Sequence, residues 1–187
     1  MTKRLYGIDD PATADFGTRC LIARRLVERG VRFVQLYTAN QSWDHHSKIL
    51  TGLPAACKYV DKPAAGLVMD LKSRGLLDST VVHWGGEMGR LPVIEFDGGR
   101  DQLGRDHNTN GFSMWVAGGG FKGGMTFGET DEFGHKAAVD IVNHHDYHAT
   151  LLHLFGLDHT KLTFKRNGAD VSLTDNQGGR IVKEILV

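Results

Sequence analysis

Cysteine, surplus charge and long apolar runs are all scarce in this 187-residue chain, and each scarcity excludes something. Cys20 and Cys57 are the only two cysteines, each set among apolar neighbours, so they read as buried thiols rather than a disulfide framework. Lys plus Arg is 22 and Asp plus Glu is 22, which leaves no net field to draw the chain to nucleic acid or an anionic membrane. No apolar run approaches the roughly 20 residues that span a bilayer. Two basic residues follow Met1, but no apolar segment follows them, so nothing here directs export and the default compartment is the cytoplasm. The length suits one domain rather than two.

Two residue types are abundant instead. There are 10 histidines and 24 glycines, both unevenly spread. Histidine clusters at His45–His46, His83, His107, His135 and from His144 to His159, while glycine crowds between Gly85 and Gly134. Loop-borne polar residues therefore concentrate in the middle and later parts of the chain, where binding residues tend to sit.

Periodicity supplies the organisation. From Ala12 to Glu28, Phe16, Cys20, Leu21, Ala23, Leu26 and Val27 recur at helical spacing, and Gly30 stops the helix. Val31 to Tyr37 alternates as a strand, with Val31, Phe33 and Gln35 on one face and Arg32, Val34 and Leu36 on the other. A second helical stretch covers Ile49 to Leu77, with Pro54 and Pro63 arguing for a kink or a restart at Pro63. Thr80 to Trp84 reads as a short buried strand, and Phe112 to Ala117 as another. Helix, strand, helix, strand in that order predicts an α/β protein with a mainly parallel sheet flanked by helices. Ligands of such sheets bind beyond the carboxyl ends of strands, which directs attention to the segments after Tyr37 and Trp84.

The first segment contains Asp44 and His46, two apart on a loop, where a carboxylate oxygen and an imidazole nitrogen can turn to one Zn, Mn or Fe ion. The competing reading is a turn in which Asp44 or Ser47 caps the next helix. The second displays Glu87 between glycines, as a metal ligand, a general base or a carboxylate paired with Arg90. Before the strand at Phe112, Arg105-Asp106-His107-Asn108 offers His107 as a ligand, with Asp106 holding its ring, or else forms a turn of self-capping side chains. Gly118 to Gly124 lacks the Gly-Lys-Ser/Thr ending of a phosphate loop. In the last cluster Leu151, Leu154 and Phe155 mark a packed helix face, Asp146 is placed to cap it, and Gly156 ends it. His145 and His148 point into a cleft from that helix's start, or serve structure; His153 and His159 read as structural or solvent-facing.

Several strings together carry a resemblance: Leu21-Ile22-Ala23-Arg24-Arg25-Leu26-Val27-Glu28-Arg29-Gly30-Val31-Arg32-Phe33-Val34, Trp43-Asp44 with His46, Gly85-Gly86-Glu87-Met88-Gly89-Arg90, and Gly104-Arg105-Asp106-His107. Ala117-Gly118-Gly119-Gly120, the run Gly128 to Gly134, and Tyr147-His148-Ala149-Thr150-Leu151-Leu152 match as well. Over essentially the whole chain it resembles the domain of unknown function 1501 family, which is sulfatase-like and belongs to the alkaline phosphatase superfamily. That resemblance implies an alkaline phosphatase/sulfatase-like fold, here without its N-terminal part. It also implies a divalent cofactor (Zn, Mn, Fe or Ca) and a small-molecule or glycan sulfate or phosphate ester as substrate.

Superfamily members hold one metal with an Asp, a nearby His and a later His, which Asp44, His46 and His107 resemble. Glu87-Met88 stands where an Asp-His pair would help hold a second metal, and a methionine there cannot replace an imidazole for a borderline cation. Arg90 and Arg105 would steady the anion. The family's nucleophile and first metal-binding Asp belong to an N-terminal portion not matched here, and the strands lost with it would leave a sheet edge open to a second copy. Two functions follow: a metal-dependent ester hydrolase, incomplete in this chain, or a binding or structural domain that keeps the fold without the chemistry.

Overall fold

A computed structural model describes residues 2–95, 98–174 and 176–187. Four helices, α1 (Thr2–Leu5), α2 (Ala14–Glu28), α3 (Ile49–Ser73) and α4 (His144–Leu154), carry most of the regular structure. Helix α2 ends as Gly30 predicts: the amides of Gly30 and Val31 return to the carbonyls of Val27 and Leu26, and Gly30 adopts φ +87°, which a side chain would resist. Helix α3 runs unbroken through both prolines, ending at Ser73 rather than Leu77. Val60, Pro63, Gly66, Asp70 and Leu71 form its buried stripe, so packing of that face outweighs the backbone hydrogen bonds its prolines cannot donate. Neither Asp44 nor Ser47 caps it; Lys48 stands at the N-cap without a side-chain bond.

The core lies where α2 and α3 close over the first loop. Tyr6, Phe16, Cys20 and Val60 are buried there, with Leu21, Leu36, Trp43, Leu67 and Trp84 packed against them. Beneath it, Asp70 accepts from the Tyr6 hydroxyl (2.7 Å) and Arg24 Nε (2.9 Å) on one oxygen and from Arg74 Nε (2.9 Å) on the other. The Arg24 and Asp70 side chains are 5% and 9% exposed, so these bonds are shielded from water.

The expected mainly parallel sheet is not what the chain forms. Strands β1 (Val82–Trp84) and β4 (Trp115–Ala117) pair antiparallel, as do β2 (Gly89–Arg90) with β3 (His107–Asn108), β5 (Glu129–Thr130) with β6 (Ala137–Val139), and β7 (Thr163–Arg166) with β8 (Ala169–Ser172). These four two-stranded ladders are the whole of the sheet structure among the described residues. A parallel pair needs a crossover of a dozen or more residues, usually a helix. Between β1 and β4 the described chain contains only short strands and one turn of 3-10 helix, so β4 returns against β1 in the opposite sense. The alkaline phosphatase/sulfatase-like α/β layering is corrected accordingly.

The predicted strand from Val31 to Tyr37 keeps its alternation but forms no ladder. Phe33 and Tyr37 stand 69% and 68% exposed, while Val34 and Leu36 turn inward. The accessible surface, 12456 Å², exceeds the roughly 8,900 Å² typical of a folded monomer of this mass, as thin, uncovered ladders require. No helix among the described residues is long and apolar enough to cross a membrane.

At the far end, α4 begins with a reciprocal cap. Asn143 Oδ1 accepts from the Asp146 amide (2.9 Å), and Asp146 Oδ2 accepts from the Asn143 amide (3.3 Å). Leu151 and Leu154 are half-buried, whereas Phe155 is turned out to solvent.

Candidate metal centre

Asp44 lies on the turn after the extended segment, and its neighbour Trp43 fixes that turn. The Trp43 ring meets Trp84 edge-on at 5.9 Å, and its Nε1 donates to Thr38 Oγ1 at 3.2 Å. From the other side the β2–β3 ladder sets Arg90 opposite His107, which puts both side chains on one face of the pair. That face meets Asp44. Arg90 Nη2 donates to Asp44 Oδ1 (2.6 Å) and to the Trp43 carbonyl (2.9 Å), and Nη1 to the Arg105 carbonyl (3.1 Å).

Three ligand-type atoms converge here. His107 Nε2 lies 2.9 Å from Asp44 Oδ1, His46 Nε2 lies 3.1 Å from the same oxygen, and the two imidazole nitrogens are 3.2 Å apart. Donors bound to one cation at about 2.0–2.2 Å and near right angles stand about 3.0 Å apart, so this triangle has the size of one face of a coordination shell. As a hydrogen-bond arrangement it is less satisfied. Only one of the two facing nitrogens can donate to the other, and both compete with Arg90 for a single oxygen. Asp44 Oδ2 accepts no hydrogen bond among the described residues.

The electrostatics keep Asp44 ionised. Its hydrogen bond with His107, then that from Arg90, hold its pKa down to about 2. For His46 the hydrogen bond with Glu95 raises the pKa, so a cation would have to displace its proton as pH falls. The three side chains are between a quarter and a half exposed, so the site is open to solvent.

Not every predicted site residue joins it. Glu87 sits on an exposed bend between β1 and β2, outside the ligand group, with no hydrogen bond or ion pair of its side chain among the described residues. Arg90 is engaged with Asp44, while the exposed Arg105 has no partner for its guanidinium among the described residues and hydrogen-bonds through its amide to the His45 carbonyl (3.0 Å). Asp106 accepts from the His107 amide (2.7 Å) rather than holding that ring.

His145 and His148 belong to a separate group. The His145 ring lies 3.9 Å from that of His144, and the Tyr147 hydroxyl hydrogen-bonds with His83 Nδ1 at 2.6 Å. Partial desolvation lowers the pKa of His83 and His148, with neighbouring imidazoles adding to it. Among the described residues no hydrogen bond or ion pair links these histidines to Asp44. Two recesses, of about 520 and 440 Å³, border α3; Trp43 lines both, and none of the three ligand candidates lines either.

One contributor lies outside the expected set, Glu95, whose Oε2 is 2.9 Å from His46 Nδ1; Arg90, expected to steady an anion, is instead a partner of Asp44. Ladder register alone sets Arg90 opposite His107, and the spacing of the two residues in sequence does not reveal it.

Against known proteins, one family matches, described as protein of unknown function (DUF1501), over residues 1–186. The chain belongs to the DUF1501 family. Neither a curated protein nor a solved structure matches it. DUF1501 membership therefore brings no assigned activity with it, and any functional reading rests on the geometry around Asp44.

Proposed function

We propose that this DUF1501 chain holds one divalent cation through Asp44, His46 and His107, and that the site belongs to a metal-dependent hydrolase of sulfate or phosphate esters, of the alkaline phosphatase and sulfatase kind. One observation carries the metal reading: three donor atoms of suitable type lie within 3.2 Å of one another, with two imidazole nitrogens face to face. The donor set, one carboxylate and two imidazoles, suits Zn, Mn or Fe. When bound, such an ion would act as a Lewis acid, polarising an ester oxygen and stabilising developing charge.

The remaining residues have separate tasks. Arg90 holds Asp44 in place and keeps it charged. Arg105, whose guanidinium has no partner among the described residues and which lies next to the loop of His45, would steady a sulfate or phosphate group. The ester class comes from the sequence resemblance, the metal site from the geometry.

A second reading, a metal-holding domain without turnover, draws on what surrounds the three ligand candidates. Among the described residues no Ser, Thr or Cys side chain hydrogen-bonds to Asp44, His46 or His107, and burial pushes the Cys20 thiol up to about 12. The test is hydrolysis of aryl sulfates and aryl phosphates by Zn- and Mn-loaded protein, alongside Asp44→Ala and His107→Ala. Metal-dependent turnover lost in both variants supports the hydrolase; tight metal binding with no turnover selects the second reading.

A further inference from the structure

We infer that Glu95 is a positioning residue for this site, fixing the tautomer and the orientation of the His46 ring. The inference rests on the metal reading of Asp44, His46 and His107. An imidazole ligates through whichever nitrogen lacks a proton, and the hydrogen bond made by its other nitrogen decides which one that is. His46 turns Nε2 toward Asp44 and His107 and Nδ1 toward Glu95 Oε2, at 2.9 Å. A carboxylate accepts only, so Nδ1 carries the proton and the Nε2 lone pair faces the other two donors.

Glu95 is held in place rather than left to the solvent. Its backbone pairs with Gly104 in both directions, amide to carbonyl, at 2.9 and 3.0 Å. Gly104 in turn lies against the His46 backbone so closely that a Cβ there would stand 1.9 Å from the His46 carbonyl oxygen. The adjacent residues tie the two loops further, through Arg105 N to the His45 carbonyl (3.0 Å) and Ile49 N to the Leu103 carbonyl (2.9 Å). The bridge that places Glu95 is therefore built onto the loop that carries His46. Asp106 Oδ1, at 3.8 Å from Nδ1, is too far to share the proton. His107 has no such partner: its Nδ1 makes no hydrogen bond among the described residues, so among them His46 is the one imidazole of the pair whose Nδ1 meets a carboxylate.

The experiment combines long-range proton–nitrogen NMR of neutral His46 in metal-free protein with Zn titration, for wild type, Glu95→Ala and Glu95→Gln. Glutamine keeps an oxygen that can accept the Nδ1 proton. The expected result is the Nδ1-protonated ring in wild type and Glu95→Gln and a mixture in Glu95→Ala. Zn affinity then falls about 10–100-fold in Glu95→Ala and less in Glu95→Gln. An Nε2-protonated ring in wild type, or the same tautomer and affinity in Glu95→Ala, overturns the inference. So does binding of two Zn per wild-type chain with one lost in Glu95→Ala, since Glu95 would then be a ligand. If wild type binds no Zn, the metal reading fails, while the NMR comparison still decides whether Glu95 sets the ring.

Discussion

Asp70 and Asp44 both attract arginines, and they have opposite surroundings. Asp70 is buried, and each of its oxygens has donors of its own: Tyr6 and Arg24 on one, Arg74 on the other. Asp44 is part-exposed, one oxygen is crowded by Arg90, His46 and His107, and the other accepts no hydrogen bond among the described residues. The first arrangement is complete without any further group. The second brings lone pairs together with too few protons between them, as a cation site does. Chemically similar clusters are thus separated by a count of donors and acceptors, and burial alone would have ranked them the other way.

The largest effect should come from breaking the complete cluster. Asp70→Ala removes the buried carboxylate that Tyr6, Arg24 and Arg74 share, leaves the Arg24 guanidinium with Glu28 alone, and is expected to cost about 3 kcal/mol, read from urea denaturation. A cost near zero would mean that water reaches Arg24 and that the network does not hold α2 to α3.

The opposite behaviour is expected of the open cluster. Asp44→Ala should shift the denaturation midpoint of metal-free protein far less than Asp70→Ala, because its partners remain solvated. Wild type should instead gain about 2.7 kcal/mol at Zn concentrations one hundred times Kd, a gain Asp44→Ala loses. Equal stabilisation of both proteins by Zn would place the ion elsewhere.

Acid titration sharpens the contrast. Burial alone would raise the Asp70 pKa, but the Tyr6 and Arg74 hydrogen bonds and the Arg24 and Arg74 charges outweigh it, leaving it below the ordinary value. Its folded pKa is depressed, so the stability it confers is present above the unfolded value of about 3.9 and is lost as pH falls through the lower folded value. The stability gap between wild type and Asp70→Ala should therefore narrow as pH drops below about 4. A gap independent of pH would show that the carboxylate charge contributes nothing.

The smallest effect provides the scale. Asn143→Ala removes one half of the reciprocal cap on α4, away from both clusters, and should cost about 1 kcal/mol. Its Zn affinity should match wild type.

Much of this was legible in the chain. Helix α2, its stop at Gly30, the start of α3 at Ile49, and strands at the places of β1 and β4 follow from periodicity and glycine placement, whereas α3 ends at Ser73, short of the expected Leu77, and is not broken at Pro63. The strand from Val31 to Tyr37 kept its two faces but found no ladder, because alternation records which side is buried and says nothing about who pairs. The same gap misled the fold class: strand order in sequence does not fix strand sense when the connection between β1 and β4 lacks a crossover helix. The β7–β8 hairpin carries its own signal, Asn167-Gly168 with both residues at positive φ, which periodicity alone does not weigh.

For the site, Asp44 and His46 are near in sequence and His107 was marked by its polar run, and the structure brings the three together. Glu87 stays apart because its bend turns it to solvent. Glu95 sits in a mixed loop with no motif, and only its bridge to Gly104 delivers it to His46.

The most direct measurement is metal content by plasma mass spectrometry, after incubation with Zn, Mn or Fe and desalting, for wild type, Asp44→Ala and His107→Ala. The account predicts about one ion per wild-type chain and none retained by either variant. Metal-free wild type under every condition, or metal retained equally by all three proteins, would contradict it.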